Sequence, residues 1–231
     1  MDYEIMMNGN VKIGDRAPDF KAVSTMGNIS LNDYIGKWVV LFSHPGDFTP
    51  VCTTEIISFS RTNTYFNKLN ACLIGLSVDS IYSHLAWIYD IYYKTKIRVP
   101  FPIIADSNGE IARKYGMISN EVSSFETVRN VYIIDDKGII RLILVYPMNV
   151  GRSIPEILRA LQALQCADES KASTPANWIP CEPVIIPPPQ TFENLLERNN
   201  EINQNRNGLS WYLSFKQPDN CNILNDESHK I

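Results

Sequence analysis

No apolar run in the 231-residue sequence approaches membrane-spanning length. Its first residues, Met1-Asp2-Tyr3-Glu4-Ile5-Met6-Met7, lack the basic region and long apolar core of a secretory signal. Both absences lead us to expect a cytoplasmic protein with no membrane partner. Basic excess is missing too. Twenty-one Lys and Arg stand against 25 Asp and Glu, a formal charge of −4 with the signs interspersed, so the cationic footprint that nucleic acid requires is absent. Cysteine is present but shows no pairing pattern. Cys52, Cys72, Cys166, Cys181 and Cys221 form an odd, widely spaced set with no Cys-x-x-Cys and no histidine at zinc-finger spacing, which argues against a disulfide framework or a structural zinc site.

What is present centres on residues 38–55. Trp38 to Phe42 is an apolar run of strand length, closed by the turn formers Pro45, Gly46 and Asp47. Thr49 then suits a helix N-cap and Pro50 the first helical position, which places Cys52 third in the helix. The partial positive charge of a helix start favours a thiolate over a thiol there. A small buried hydrophobe is the plainer reading of a cysteine after an apolar strand.

The rest of the chain supplies a scaffold. Residues 11–34 are an approach segment broken by Pro18 and Gly27, and the helix that carries Cys52, extending to about Leu69, leads to a second strand, Cys72 to Val78. Strand, helix and strand make a crossover unit, beyond whose strand ends ligands bind. A helix over 81–94 carries Leu85, Ile88 and Ile91 at helical spacing; its aromatics, Trp87, Tyr89, Tyr92 and Tyr93, suit core or subunit-interface packing. Pro100 to Ala105 reads as a short strand, Asn108 to Tyr115 as a short helix, and residues 128–134 and 139–146 as a hairpin around Asp135-Asp136-Lys137-Gly138. Ile154, Ile157, Leu158, Leu161 and Leu164 form the stripe of a further helix. Six prolines between Pro175 and Pro189 predict an extended segment, followed by a helix from Phe192 to about Asn200 capped by Thr191. Such a tail is expected to bury no core of its own, and its last dozen residues to lack order.

Pro45, Thr49 and Cys52 reproduce a Pro-x-x-x-Thr-x-x-Cys signature, and Ser-His-Pro-Gly-Asp-Phe-Thr-Pro-Val-Cys-Thr-Thr-Glu resembles the version found in the one-Cys subfamily of peroxiredoxins. The likeness extends from Ile13-Gly14-Asp15-Arg16-Ala17-Pro18 through His84-Leu85-Ala86-Trp87 and Pro100-Phe101-Pro102 to Gly151-Arg152. It implies an α/β, thioredoxin-like peroxidase domain with a mixed central sheet over residues 1–166. Residues 167–231 would be a small extended C-terminal domain that wraps the core or a partner subunit.

The resemblance also implies a chemistry: reduction of hydrogen peroxide and alkyl hydroperoxides by a cysteine that becomes sulfenic acid, with no metal, haem or flavin. Cys52 is then the nucleophile. Thr49 and the Val51 and Cys52 amides would hold the peroxide, Pro45 would shield the sulfur, and Arg129 would supply positive charge. Glu55 would hold that arginine, with His44 and Arg152 in support. Turnover calls for an external thiol reductant or for a resolving thiol among Cys166, Cys181 and Cys221, of which Cys221 is the best internal candidate. Assembly as a homodimer or a ring of dimers is implied as well. A lipase activity is disfavoured because Ile35-Gly36-Lys37-Trp38 offers no serine, while a chaperone or redox-sensor role for Cys52 stands as the non-enzymatic alternative.

Overall fold

Trp38–Ser43 forms strand β3, and all six residues are buried, as a continuous apolar run requires when both faces of a strand are covered. The faces divide by the strand's period of two. Val39 and Leu41 join a core cluster with Ile74, Leu76, Ile104, Tyr132 and Ile134, whereas Phe42, on the other face, stacks on Phe59 with ring centroids 4.2 Å apart.

The computed structural model describes residues 11–119, 121–205 and 207–218. Two compact units divide the chain, one running through Ile154 and the other starting at Pro155. In the first unit β3 is joined by β1 (Lys21–Ser24), β2 (Gly27–Ser30), β4 (Ala71–Ser77), β5 (Ile103–Ala105), β6 (Arg129–Ile134) and β7 (Ile140–Tyr146), in the order β2-β1-β5-β4-β3-β6-β7. Strands β3, β4 and β5 are parallel; β6 and β7 add an antiparallel hairpin on the other side of β3. This is the expected mixed sheet. The β1–β2 hairpin was not foreseen in the approach segment, because two four-residue strands around Gly27 are too short to show alternation.

Helix α1 (Pro50–Lys68) turns Cys52, Glu55, Ile56, Phe59 and Phe66 inward. Helix α2 (Ile81–Thr95) buries His84, Trp87 and Ile91. That corrects the expected stripe: Leu85 is 44% exposed, and a histidine takes the inward place instead. Trp87 lies in the core, while Tyr89, Tyr92 and Tyr93 are exposed in the single chain. Helix α3 (Glu110–Lys114) is a single short segment after β5.

Helix α4 (Ile154–Ser170) buries Ile154, Ile157, Leu158 and Leu161 of its stripe, with Leu164 half-buried. The second unit adds a three-stranded sheet, in the order β8 (Val184–Ile185), β10 (Leu213–Lys216), β9 (Gly208–Ser210), and helix α5 (Phe192–Asn205). Thr191 caps α5 as foreseen, accepting from the Asn194 N–H at 3.2 Å. In this unit Cys166, Trp178 and Val184 form a small core with Ala163 and Ala172, so the tail buries side chains together with residues of α4. Trp178 makes it workable, since its indole N–H reaches the Glu182 carbonyl at 2.9 Å and leaves no buried donor unpaired. The final dozen residues lie outside the described residues, as does Cys221.

The Phe42–Phe59 stack joins the strand that ends at the site to the helix that begins there. Phe59→Ala is expected to lower unfolding stability by about 3 kcal/mol or more, measured by urea denaturation.

Candidate active site

The β3–β6 ladder pairs its residues as far as Phe42 and Val131 and then opens. Beyond that point Ser43 replaces the ladder with its hydroxyl, which donates to the Val128 carbonyl at 2.6 Å and accepts from the Asn130 N–H at 3.1 Å. The carbonyls of Ser43 and Asn130 accept instead from Nη1 of Arg152, at 2.8 and 2.9 Å. A guanidinium thus fills the rung that the diverging strands leave vacant. Buried backbone acceptors must be paired somewhere, and here a charged side chain pairs them.

The counter-charge is Glu55, 3% exposed, on the inner face of α1. Arg152 donates to it three times: main-chain N and Nε to Oε1 at 2.8 and 2.9 Å, and Nη2 to Oε2 at 2.6 Å. Arg129, at the head of β6, adds Nη1 to Oε2 at 2.8 Å. Burial by itself would raise the pKa of Glu55, but the Arg152 hydrogen bonds and the two positive charges outweigh it, so the carboxyl is held below its usual range.

Arg129 is clamped on its other side, where Nε and Nη2 donate to the Met148 carbonyl at 2.9 and 2.7 Å. So fixed, its Nη1 lies 3.3 Å from Sγ of Cys52. Two guanidiniums against one carboxylate leave a surplus of one positive charge in a buried pocket. That surplus faces Sγ of Cys52.

Cys52 is fully buried, 0% exposed, third in α1 after Thr49 and Pro50. Thr49 has the extended backbone of an N-cap, yet its side chain does not cap the helix. Its hydroxyl donates to the Gly46 carbonyl at 2.9 Å, closing the loop, and leaves its oxygen lone pairs as acceptors. The start of α1, with its partial positive charge, is therefore capped by no side chain of that residue. Pro45 is buried just after β3.

His44 does not direct its hydrogen bond to the thiol. Its Nε2 lies 3.1 Å from Oδ1 of Asp47, and its Nδ1 is buried without a partner. Asp47 also takes Nδ1 of His84 at 2.8 Å on Oδ2, and Nε2 of His84 faces the Ile104 carbonyl at 3.1 Å. Burial opposes ionisation of Asp47, but the two histidine hydrogen bonds prevail and depress its pKa to about 2. His44 is lowered, chiefly by burial. Donor atoms of His44, Asp47 and His84 lie within 4.8 Å of one another and could in principle take a cation. The direct histidine–carboxylate pairs already satisfy them, so the trio holds together as a hydrogen-bonded cluster.

The structure thus gathers Cys52, Glu55, Arg129 and Arg152 directly and sets Thr49 and Pro45 on the loop before them. Asp47 and His84 were missed. His84 falls on one helical face with Trp87 and Ile91, a pattern legible only once the buried side of α2 is known. Among the candidate resolving thiols, Cys166 is 9% exposed in the small core of the second unit. Cys181 sits on a turn with φ 75° and is disulfide-bonded.

Known proteins share this arrangement's sequence. Residues 13–143 match the AhpC/TSA family, and residues 163–199 match the C-terminal domain of 1-Cys peroxiredoxin. A peroxiredoxin 2 of Caldanaerobacter subterraneus is 55% identical, over 89% of this chain and 93% of its own length. Among solved structures, a yeast mitochondrial 1-Cys peroxiredoxin, described with thiol resolution via glutathione/thioredoxin systems, is 41% identical with a TM-score of 0.76, covering 90% of this chain and 99% of its own. Peroxiredoxin 6 of Arenicola marina is 34% identical with a TM-score of 0.79, covering 91% and 100%.

Glu55→Gln keeps the side chain's shape but leaves two buried guanidiniums uncompensated, so a loss of about 3 kcal/mol is expected in urea unfolding at neutral pH. Acid should destabilise the wild type in two stages. His44, lowered on folding, contributes stability above its ordinary value of 6.5 that declines as pH falls below it. Glu55 and Asp47, depressed on folding, contribute stability that declines below 4.5 and 3.8 respectively, for Asp47 until about 2. A urea midpoint that fails to fall between pH 8 and pH 3 would contradict this assignment.

Proposed function

The chain belongs to the AhpC/TSA family, within it to the one-Cys subfamily of peroxiredoxins, and is a thiol-dependent peroxidase; we propose that Cys52 is its peroxidatic nucleophile. The observation that carries this is the 3.3 Å contact between Arg129 Nη1 and Sγ, in a pocket whose two guanidiniums exceed its carboxylate by one charge. The thiolate attacks one oxygen of the hydroperoxide. An S–O bond forms as the O–O bond breaks, the departing oxygen leaves as water or an alcohol after taking a proton, and sulfur is oxidised to sulfenic acid.

The other residues act on that step. Arg129 stabilises the negative charge that moves from sulfur to oxygen, and electrostatic stabilisation of this kind commonly contributes more to catalysis than any other single effect. Thr49 accepts from the peroxide hydroxyl, its own hydrogen being given to Gly46. Glu55 and Arg152 hold Arg129 in place, and Pro45 excludes water from the sulfur. Hydrogen peroxide and small alkyl hydroperoxides are the substrates, in antioxidant defence and redox homeostasis. The chemistry asks for no metal, haem or flavin.

For turnover, an external thiol attacks the sulfenic acid, releases water and forms a mixed disulfide, which a second thiol then cleaves. The packing of Cys166 supports this over that residue as resolving thiol, and a thiol of the C-terminal extension, Cys181 or Cys221, is the internal alternative. The reading extends to a cytoplasmic setting; no helix of the described residues is long and apolar enough to cross a membrane. The peroxidase chemistry is assigned to residues 1–166, with residues 167–231 as a C-terminal extension, a reading supported by the C-terminal family match. Exposed Tyr82, Tyr89 and Tyr93 on α2 support assembly as a homodimer or ring of dimers.

Intact mass after one equivalent of hydrogen peroxide, without reductant, tests the chemistry: one added oxygen is expected on the wild type and none at this position in Cys52→Ser. A new Cys52 disulfide would instead identify an internal resolving thiol, and no Cys52-dependent change would remove the assignment. Arg129→Gln should lower kcat/KM for hydrogen peroxide by about 10²-fold or more, measured by stopped-flow peroxide consumption.

A further inference from the structure

Helix α2 grips the catalytic loop at two points. Trp87 donates its indole N–H to Oγ1 of Thr53 at 3.2 Å, and that hydroxyl in turn donates to the Thr49 carbonyl at 2.7 Å, which ties down the first turn of α1. One turn earlier, His84 holds the carboxylate of Asp47 with Nδ1, at 2.8 and 3.0 Å from its two oxygens. Its Nε2 is anchored on the Ile104 carbonyl of β5. The imidazole of His84 is thus held between the loop and the sheet. The main-chain N–H of Asp47 is fixed as well, donating to Oδ2 of Asp79 at 3.0 Å, which also takes the Ser77 hydroxyl at 2.6 Å.

Between the two grips lies Phe48, 57% exposed, with φ at 56°. A bulky residue in the left-handed region is strained and persists only where the flanking structure over-determines it. The side chain of Phe48 is exposed and cannot supply that constraint. The flanking ties at Asp47 and Thr49 can. If the Asp47 tie is cut, the turn at Phe48 is free to relax, and it carries with it the Gly46 carbonyl that orients the Thr49 hydroxyl.

We propose that His84, acting through Asp47, is a positioning residue of the peroxidase reaction: it holds the strained turn at Phe48 so that Thr49 faces the sulfur of Cys52. This rests on Cys52 as nucleophile. His84 touches neither sulfur nor substrate in this arrangement, and Arg129, Glu55 and Arg152 are hydrogen-bonded independently of it. Losing His84 therefore disturbs the peroxide's contacts while leaving the charge environment of the sulfur in place.

The test compares two reactions of one atom. In His84→Leu the second-order rate with hydrogen peroxide is expected to fall on the order of tenfold to a hundredfold, while alkylation of Cys52 by iodoacetamide at the same pH stays equal or becomes faster, because a loosened loop exposes a sulfur that is fully buried in the intact site. His84→Gln, whose amide can still donate to Asp47, should recover part of the peroxide rate. Thermal unfolding is followed for each variant, and Asp47→Asn gives the same comparison if His84→Leu does not fold. Peroxide rates within twofold of wild type, or peroxide and iodoacetamide rates falling in parallel, would overturn the proposal. Peroxide reduction that persists in Cys52→Ser would overturn the Cys52 assignment itself, a distinct result.

Discussion

One buried carboxylate governs the site. Glu55 receives Arg152 through a two-pronged guanidinium contact and a main-chain N–H, and Arg129 through a further hydrogen bond. Isolated, any of these charges would be costly to remove from water; grouped, they satisfy one another except for one unit of positive charge. That remainder is directed at sulfur, because Arg129 is held from behind by the Met148 carbonyl. The same cluster ties α1 to the ends of β3 and β6 and to the segment before α4. The charge that faces the sulfur and the joining of these elements therefore depend on one group of ions.

Strand divergence is what makes room for that group. Where β3 and β6 stop pairing, side chains take up backbone polar groups that the ladder no longer joins. Ser43 answers for some with its hydroxyl, and Arg152 takes the carbonyls of Ser43 and Asn130. Arg152 also stacks over Phe42 and Phe59, with its guanidinium carbon 5.2 and 5.8 Å from the ring centroids, so its desolvated faces meet aromatic surface. This end of the sheet is polar inside an apolar frame, and Glu55, Arg129 and Arg152 each join separate elements there.

Much of this could be read from residue order. The buried strand, the turn, proline at the first helical position and cysteine two residues later followed from local rules, and the mixed sheet followed from a crossover unit and a hairpin signal. The failures are specific. Leu85 was expected inside because it is apolar, yet α2 turns His84 inward, since a carboxylate and a backbone carbonyl wait there to pair with it. Thr49 was expected to cap α1 with its hydroxyl, but the Gly46 carbonyl competes for that hydrogen. The proline-rich tail was expected to bury no core of its own, and its Trp178, whose N–H finds an acceptor, is buried together with Cys166 and Ala163 of α4.

The sequence by itself determined which residue sits on the helix start, since capping preference and proline's missing N–H act within a few neighbouring residues. It also determined the strand that leads there, because a strand covered on both faces must be apolar throughout. Only the tertiary structure decided which charges meet the sulfur and what holds the loop. Arg129 and Arg152 stand 74 and 97 positions from Glu55, Asp47 and His84 are 37 apart, and no local preference distinguishes a buried ion cluster from solvated surface residues. The pairing arises where β3 and β6 part, and the place where two strands part is a property of the assembled sheet.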